Sequence, residues 1–238
     1  MKSLKYMLLL ALMFACFCTI SNRVFAEDSN FDLEEMLEAD EESFVKNIKI
    51  SSSAKETGKR PIKCFDVNEN GMIAIGCADY IEKTVSIYTS NGDFQYGYKF
   101  ESYGDFGVEF KGDFLMIYFV REDIAVEVDF NGTIRSVSKI KNTKANNSHW
   151  NNTVRATKRY VGETEYILQN DSRVLDLFSS SYSQLIVKDS HGERIVYDAG
   201  SLQFVSFIVK IIVFLLLPMS VVFLVVLKRN RDSKSIDS

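Results

Sequence analysis

The sequence is short of the residues that usually carry chemistry or cross-link a small fold. Among its 238 residues there are two prolines, two histidines, one tryptophan and four cysteines. Because His149 and His191 stand apart from each other and from every cysteine, neither a zinc site nor a Cys–His pair can be assembled from them. We expect both histidines to lie in exposed loops.

A serine-based hydrolytic site also lacks support. The residue types of a triad are present in Ser179, Ser180, Ser181, His191 and Asp198. No G-x-S-x-G turn surrounds the serines, however. The sequence therefore predicts no catalytic residue, no cofactor and a protein that is not an enzyme.

The two ends of the chain predict its place in a membrane. Residues 1–26 combine two early lysines, an apolar run and a small-residue end, which is the order of a secretory signal peptide. Residues 204–227 are apolar and, at ~1.5 Å rise per residue, long enough to cross a ~30 Å hydrocarbon core as a transmembrane helix. The positive-inside rule places the basic tail, 228–238, in the cytoplasm. We expect a single-pass protein of the cell membrane with its amino end outside.

Two residues inside the predicted span are unusual in that position. Lys210 either extends its amine to the outer interface or pairs with a carboxylate on another membrane protein. Pro218 removes a backbone donor in mid-span and should kink the helix. Both are candidate membrane residues.

Charge is distributed unevenly along the part between the two ends. Residues 27–203 hold 30 acidic and 20 basic side chains, which argues against nucleic-acid binding. Residues 27–42 contain acids and no base, whereas residues 130–162 contain bases and no acid. Either both stretches are solvated, or the basic one meets an anionic partner, which is the chain's own acidic arm or a cell-surface polymer. The candidate binding residues are Lys139, Lys141, Lys144, Trp150, Arg155, Lys158 and Arg159.

Residues 27–61 are predicted to form an acidic helix followed by a polar linker. Apolar residues recur in loosely helical phase between Phe31 and Val45, which predicts a helix over about 31–47. The polar stretch that ends at Pro61 is the predicted linker.

Residues 62–203 predict a mainly β domain. Short alternating runs such as TVSIYT, DFLMIYFV and IAVEVDF are separated by glycine turns, which is the pattern of an antiparallel meander. Gly92, Gly132 and Gly192 each centre a turn between two such runs, and the longer interval contains the basic insertion. A period of about 40 residues is typical of four-stranded propeller blades.

Residues 62–198 therefore resemble about three propeller blades, and CFDVNENGMIAIG, which begins at Cys64, resembles the inner hairpin of NHL-like propellers. Known propellers close with more blades than this chain supplies. An incomplete propeller-like stack, a β-sandwich and closure through partner chains all stay open. The resemblance implies a binding or scaffolding surface and carries over no catalytic residue.

The DVNENG stretch also has the spacing of a calcium loop. Asp66, Asn68 and Asn70, followed by Gly71, match the first EF-hand ligand positions, but the twelfth position is Cys77 instead of a glutamate. An Asn-Gly pair between two alternating runs is a strong hairpin signal. We expect a turn, with the three polar residues as weak metal candidates.

Cys64 and Cys77 are the two cysteines that remain once the predicted signal peptide is removed. The same hairpin allows two registers for this pair. A two-residue turn places Cys64 opposite Cys77, where neighbouring strands come closest and a cross-strand disulfide fits. A three-residue loop places Cys64 opposite Gly76 and pairs Phe65 with Ile75 on one apolar face. Because the expected compartment is not reducing, Cys64 and Cys77 are the disulfide candidates.

Together these features predict a surface protein whose extracytoplasmic β domain binds or organises a partner. It is expected to be an accessory subunit of a membrane complex or a surface binder. The alternative is a sensor or regulator that signals through the kinked span. The expected partners are the membrane, a membrane protein or an anionic cell-surface polymer, and not nucleic acid.

Overall fold

The computed structural model describes residues 31–171 and 180–200, together with residues 209, 212 and 213. The predicted signal peptide, Lys210, Pro218 and the cytoplasmic tail lie outside the described residues. None of the helices in the described ranges combines the length and the apolar character that crossing a membrane requires. The described chain is mainly β, as predicted, and its strand pairings are antiparallel.

Three sheets follow one another along the chain, each built on a meander of four consecutive strands. The first sheet contains β3 (Ile62–Val67), β4 (Ile73–Asp79), β5 (Glu82–Tyr88) and β6 (Phe94–Glu101). The second contains β7 (Phe106–Lys111), β8 (Phe114–Phe119), β9 (Ile124–Val128) and β10 (Ile134–Ile140). The third contains β11 (Lys158–Val161), β12 (Thr164–Gln169), β13 (Gln184–Asp189) and β14 (Gly192–Asp198). The described part of the chain thus forms three sheets, whereas a sandwich has two.

The N-terminal segment adds one strand to each of the first two sheets. β1 (Leu33–Glu35) pairs with β10, β2 (Ser51–Ser53) pairs with β6, and helix α1 (Glu38–Ile48) connects them. The helix predicted over 31–47 therefore begins later than expected, and the predicted linker contains a strand. Both short strands pair with the edge strand of a sheet through backbone hydrogen bonds. Because every residue has these backbone groups, the pairing depends little on the side chains.

Three hairpin turns share one pattern of hydrogen bonds. Asn68 Oδ1 accepts from the backbone amides of Asn70 (3.0 Å) and Met72 (2.9 Å), and the Asn68 amide donates to the Met72 carbonyl. Thr89 and Asp129 hold the turns before β6 and β10 in the same way. The fourth residue of each turn has the positive φ that glycine adopts without strain, at Gly71, Gly92 and Gly132.

The glycines of the predicted repeat mark the same connection in each sheet, the one from the third to the fourth strand of the meander. Of the three glycines that define the repeat, Gly92 and Gly132 lie between the third and fourth strands of a meander, and Gly192 is the first residue of the fourth strand of its meander. One repeat is therefore one sheet. The longer interval contains the basic insertion, which forms helix α2 (Lys144–His149) and a π-helical turn (Trp150–Val154).

The first sheet is buried on both faces because it lies between the other two. Alternate residues of β4 point to opposite faces, as strand geometry requires. Ile73 and Ile75 belong to the cluster shared with the third sheet, which includes Leu185. Ala74 belongs to the cluster shared with the second sheet, which includes Ile117.

The other face of the second sheet is covered by the N-terminal arm and the insertion. Phe31, Val154 and Trp150 pack with Tyr118 in a third apolar cluster. Gly107 of β7 leaves the space for this packing, since a Cβ there would overlap Val154 and stand 3.0 Å from the Trp150 ring. The tryptophan of the insertion thus folds back onto its own domain.

Gly76→Ala is expected to lower the free energy of unfolding by about 1–3 kcal/mol, because the added methyl group overpacks the core. A Cβ at Gly76 would overlap the Cys64 sulfur and stand 2.9 Å from the Phe106 ring. Gly58→Ala is the matched control, since nothing lies within 4 Å of that position. Urea denaturation of the full-length chain in detergent, followed by circular dichroism, measures both. Equal stability of the two variants would contradict the packing of β7 on β4.

Candidate functional site

The first strands of the three four-stranded meanders, β3, β7 and β11, meet at one buried charge. Asp66 of β3 accepts a hydrogen bond from the backbone amide of Phe110 in β7 (2.7 Å) and pairs with Arg159 Nε of β11 (2.9 Å). The two charged side chains are only 14% and 12% exposed. The Arg159 guanidinium also lies over the Phe65 ring, 5.4 Å from its centroid. One carboxylate therefore has contacts with all three sheets.

Burial governs the protonation of this carboxylate. Loss of solvent raises the pKa of Asp66 above its ordinary value, and Arg159 together with the amide of Phe110 opposes that rise. A buried carboxylate is tolerable only when it is paired and hydrogen-bonded. The contacts from the second and third sheets are therefore what allow a charge at this depth.

The weak metal candidates are engaged in other contacts. The two oxygens of Asp66 bind Arg159 and Phe110, and Asn68 Oδ1 caps the turn to which Asn70 contributes its amide. Within the described ranges, no group of three or more His, Cys, Asp and Glu side chains is placed to hold a metal ion. The stretch forms the hairpin turn that its Asn-Gly pair predicts.

The cysteines of the first hairpin lie on opposite faces of the sheet. The hairpin has the register of the three-residue loop, with Cys64 opposite Gly76 and Phe65 opposite Ile75. Cys64 packs toward the second sheet and Cys77 toward the third, and both are free thiols. The cross-strand disulfide that the two-residue register predicted is not formed, because that register would break the apolar pairing. Burial raises the pKa of both thiols, that of Cys77 to about 11.

A second buried polar cluster lies where the insertion packs on the second sheet. His149 Nε2 is 2.9 Å from Glu109 Oε2, and the ring of Phe31 stands edge-on to the imidazole at 4.6 Å. Burial raises the pKa of Tyr118, and the neighbouring Glu109 adds to the rise. The prediction of an exposed loop is wrong for His149, which is 7% exposed, because the insertion folds back as a helix. His191 is 91% exposed, as predicted.

Two of the candidate binding lysines contact the chain's own acidic arm. Lys141 Nζ is 2.7 Å from Asp32 Oδ1, and Lys139 Nζ is 3.9 Å from Glu34 Oε1. The side chain of Asn146 binds both the backbone amide (2.8 Å) and the carbonyl (3.0 Å) of Asp32. The hydrogen bond with Asp32 raises the pKa of Lys141. Of the two anionic partners considered from the sequence, the acidic arm is the one in contact here.

The other basic candidates are divided between separate places. Arg155 pairs with Asp105 (3.2 Å) and lies over the Trp150 ring, 5.2 Å from its centroid. Lys158 pairs with a glutamate of β12 (3.1 Å), and Lys144 is exposed at the start of α2. The basic stretch is thus used to attach the arm, the insertion and the third sheet.

Sequence reasoning missed the role of Glu109 and the pairing of Arg159. A lone glutamate in a strand gives no signal, and the alternation of β7 shows only that Glu109 and Val108 point to opposite faces. The chemical groups described above act as attachments between elements.

Comparisons of the chain with protein-family models, with curated proteins and with solved structures found no match. The role of the site therefore has to follow from its own residues.

Arg159→Met is expected to lower the free energy of unfolding at neutral pH by about 3–5 kcal/mol, because it leaves a buried carboxylate without its partner. Without the guanidinium, the pKa of Asp66 rises further above its unfolded value. The loss should therefore shrink as the pH falls toward about 4, the ordinary pKa of an aspartate in the unfolded chain, because native Asp66 is already protonated there.

Urea denaturation at a series of pH values measures this loss. The control is Lys188→Met, which breaks an exposed pair with Glu193 (3.0 Å) and should cost less than about 1 kcal/mol. A large loss that did not vary with pH would contradict a charged Asp66 at the centre.

Both thiols are expected to resist iodoacetamide in the native protein at neutral pH, because the thiolate is the reactive form and burial raises the pKa of Cys64 and Cys77. In urea without reductant both should then be alkylated, which peptide mass spectrometry detects. Labelling that requires prior reduction would instead reveal a disulfide.

Proposed function

We propose that the chain is a single-pass membrane protein whose extracytoplasmic β domain binds or scaffolds a partner, as an accessory subunit of a membrane complex or as a surface binder. In this proposal the three sheets are the blades of an incomplete propeller-like stack. The protein is not an enzyme and needs no cofactor.

The observation that carries the proposal is the meeting of β3, β7 and β11 at Asp66. Propeller blades are four-stranded sheets arranged around a shared centre. Here β3 supplies the carboxylate of Asp66, and β7 and β11 supply its two partners, Phe110 and Arg159. Such a centre fixes the sheets as one support on which surface loops are held.

The turns of this support suit recognition. In each sheet the first and third turns lie at the same end, because antiparallel strands alternate in direction. The turns at Asn68, Thr89 and Asp129 are held by side-chain caps, and Phe130 is 63% exposed in the last of them. Binding residues are often placed on loops that a rigid scaffold positions, and ordered loops lose less entropy on binding.

Features of the predicted span support a partner inside the membrane. A charged residue within a span is costly unless its side chain reaches the interface or pairs with another charge. In this proposal Lys210 pairs with a carboxylate on a neighbouring helix. An accessory subunit would meet its partner there.

Affinity purification of the tagged full-length chain from its native membrane in mild detergent tests this function. We expect a membrane-protein partner in stoichiometric amount, identified by mass spectrometry. Lys210→Leu should release the partner, because it removes the charge that would pair with the partner's carboxylate. Lys228→Leu, just beyond the predicted span, is the matched control and should retain it.

Other results separate the alternatives. An empty purification, with the chain bound instead to anionic cell-surface polymer in a salt-dependent way, would favour a surface binder. Alkaline carbonate removes peripheral proteins and leaves integral proteins in the bilayer. If it extracted the intact chain, that result would contradict the membrane anchor.

A further inference from the structure

The place where the chain leaves the third sheet is close to the predicted membrane. β14 ends at Asp198, and the described stretch ends at Gly200. Residues 201–203 separate Gly200 from the start of the predicted span at Phe204. Four residue steps reach at most about 14 Å even when fully extended. The end of the sheet from which β14 exits must therefore lie near the lipid surface.

The same end includes the turn between β4 and β5. The hydroxyl of Tyr197, next to the end of β14, donates to the Arg60 carbonyl and accepts from the Arg60 amide, both at 2.8 Å. The guanidinium of Arg60 in turn binds Glu82 Oε1 at 2.9 Å. Because Glu82 is the first residue of β5, these bonds connect the exit of the chain with the β4–β5 turn.

Tyr80 is held outward at the tip of this turn. Its side chain is 85% exposed, and its φ of 50° lies in the left-handed region that non-glycine residues rarely adopt. The Lys83 amine donates to the Tyr80 carbonyl at 2.6 Å and fixes the turn. A strained backbone that displays an exposed aromatic ring is a feature of interaction sites.

Tyr103 stands beside this turn in the loop between β6 and β7. Its side chain is 73% exposed. The Ser102 amide donates to the Ile81 carbonyl at 2.9 Å, which joins the loop to the turn. Gly104 packs closely on Arg121, since a Cβ there would be 2.8 Å from the arginine Cβ. The two exposed tyrosines therefore lie on one supported surface, which we call the tyrosine end.

The charges around the tyrosine end have both signs. The basic residues of its turns and flanks include Lys59, whose amine lies 5.2 Å from the centroid of the Tyr197 ring, and Arg60, Lys63, Lys83 and Arg121. The acidic ones are Asp79, Glu82, Glu101, Asp105, Glu122 and Asp123. A surface of this composition has no net attraction for anionic lipid. The tyrosine rings are what distinguish it.

We propose that the tyrosine end rests on the bilayer that holds the predicted span, with Tyr80 and Tyr103 in the headgroup region. Tyrosine is enriched at membrane interfaces because its ring is apolar and its hydroxyl is polar. The short connection from Gly200 to Phe204 and the exposure of both rings carry this inference, which rests on the proposed function. The Asn-Gly turns then point away from the membrane, toward a partner.

Tryptophan fluorescence in lipid vesicles tests the contact. The full-length chain is reconstituted in phosphatidylcholine vesicles whose acyl chains are brominated near the headgroup, and Tyr80→Trp and Tyr103→Trp are compared with Phe130→Trp. Phe130 is a matched exposed aromatic residue in a turn at the opposite end of its sheet. The signal of the native Trp150 is subtracted by using the unsubstituted chain.

The added fluorescence at positions 80 and 103 should be quenched several-fold more than at position 130. Because the charges are mixed, the ratio should be unchanged when phosphatidylglycerol is included or the salt concentration is raised. Equal quenching at all three positions in inserted protein would overturn the proposal and leave the membrane anchor standing. Shielding from aqueous acrylamide without lipid quenching would also overturn it, because the cover would then be protein.

Alkaline extraction of the same vesicles separates a failure of the membrane anchor from a failure of the tyrosine contact. A chain that is extracted was never inserted, and the proposed function would fail together with the inference. A chain that resists extraction makes the quenching ratio decisive for the tyrosine end alone.

Discussion

A single buried carboxylate sets the relative placement of the three sheets. Asp66 is tolerable in the interior only while Phe110 and Arg159 reach it from two other sheets. A shift of β3 by one residue would turn the carboxylate to the opposite face of its sheet. The two apolar clusters on either side of the first sheet fill space, whereas this charge selects one arrangement.

Local pattern was sufficient to predict the eight strands of the first two meanders, β3 to β10, and the turns between them. The Asn-Gly pairs that end at Gly71, Gly92 and Gly132 mark hairpins because glycine accepts positive φ. The choice between the two registers follows from burial, since only one of them pairs Phe65 with Ile75. The repeat of one sheet per glycine interval was also visible in the sequence.

Contacts between distant segments were not predictable in the same way. Arg159 is 93 residues from Asp66, and His149 is 40 residues from Glu109. The spacing of charges along a chain contains no information about such pairs. The strands at 33–35 and 51–53 were missed because their pairing is made by backbone groups that every residue has.

The pairing of β1 has a consequence for the order of synthesis and folding. Its Leu33 lies opposite Ile140 of β10, so the first strand of the described chain to be synthesised cannot pair until the last strand of the second meander has been made. Until then its backbone is an open edge, which its glutamates protect from pairing with other chains. The contact of Phe31 with His149 forms later than the pairing of β1, because it requires the insertion, which follows β10 in the chain. The beginning of the described chain is therefore the piece that closes the second sheet.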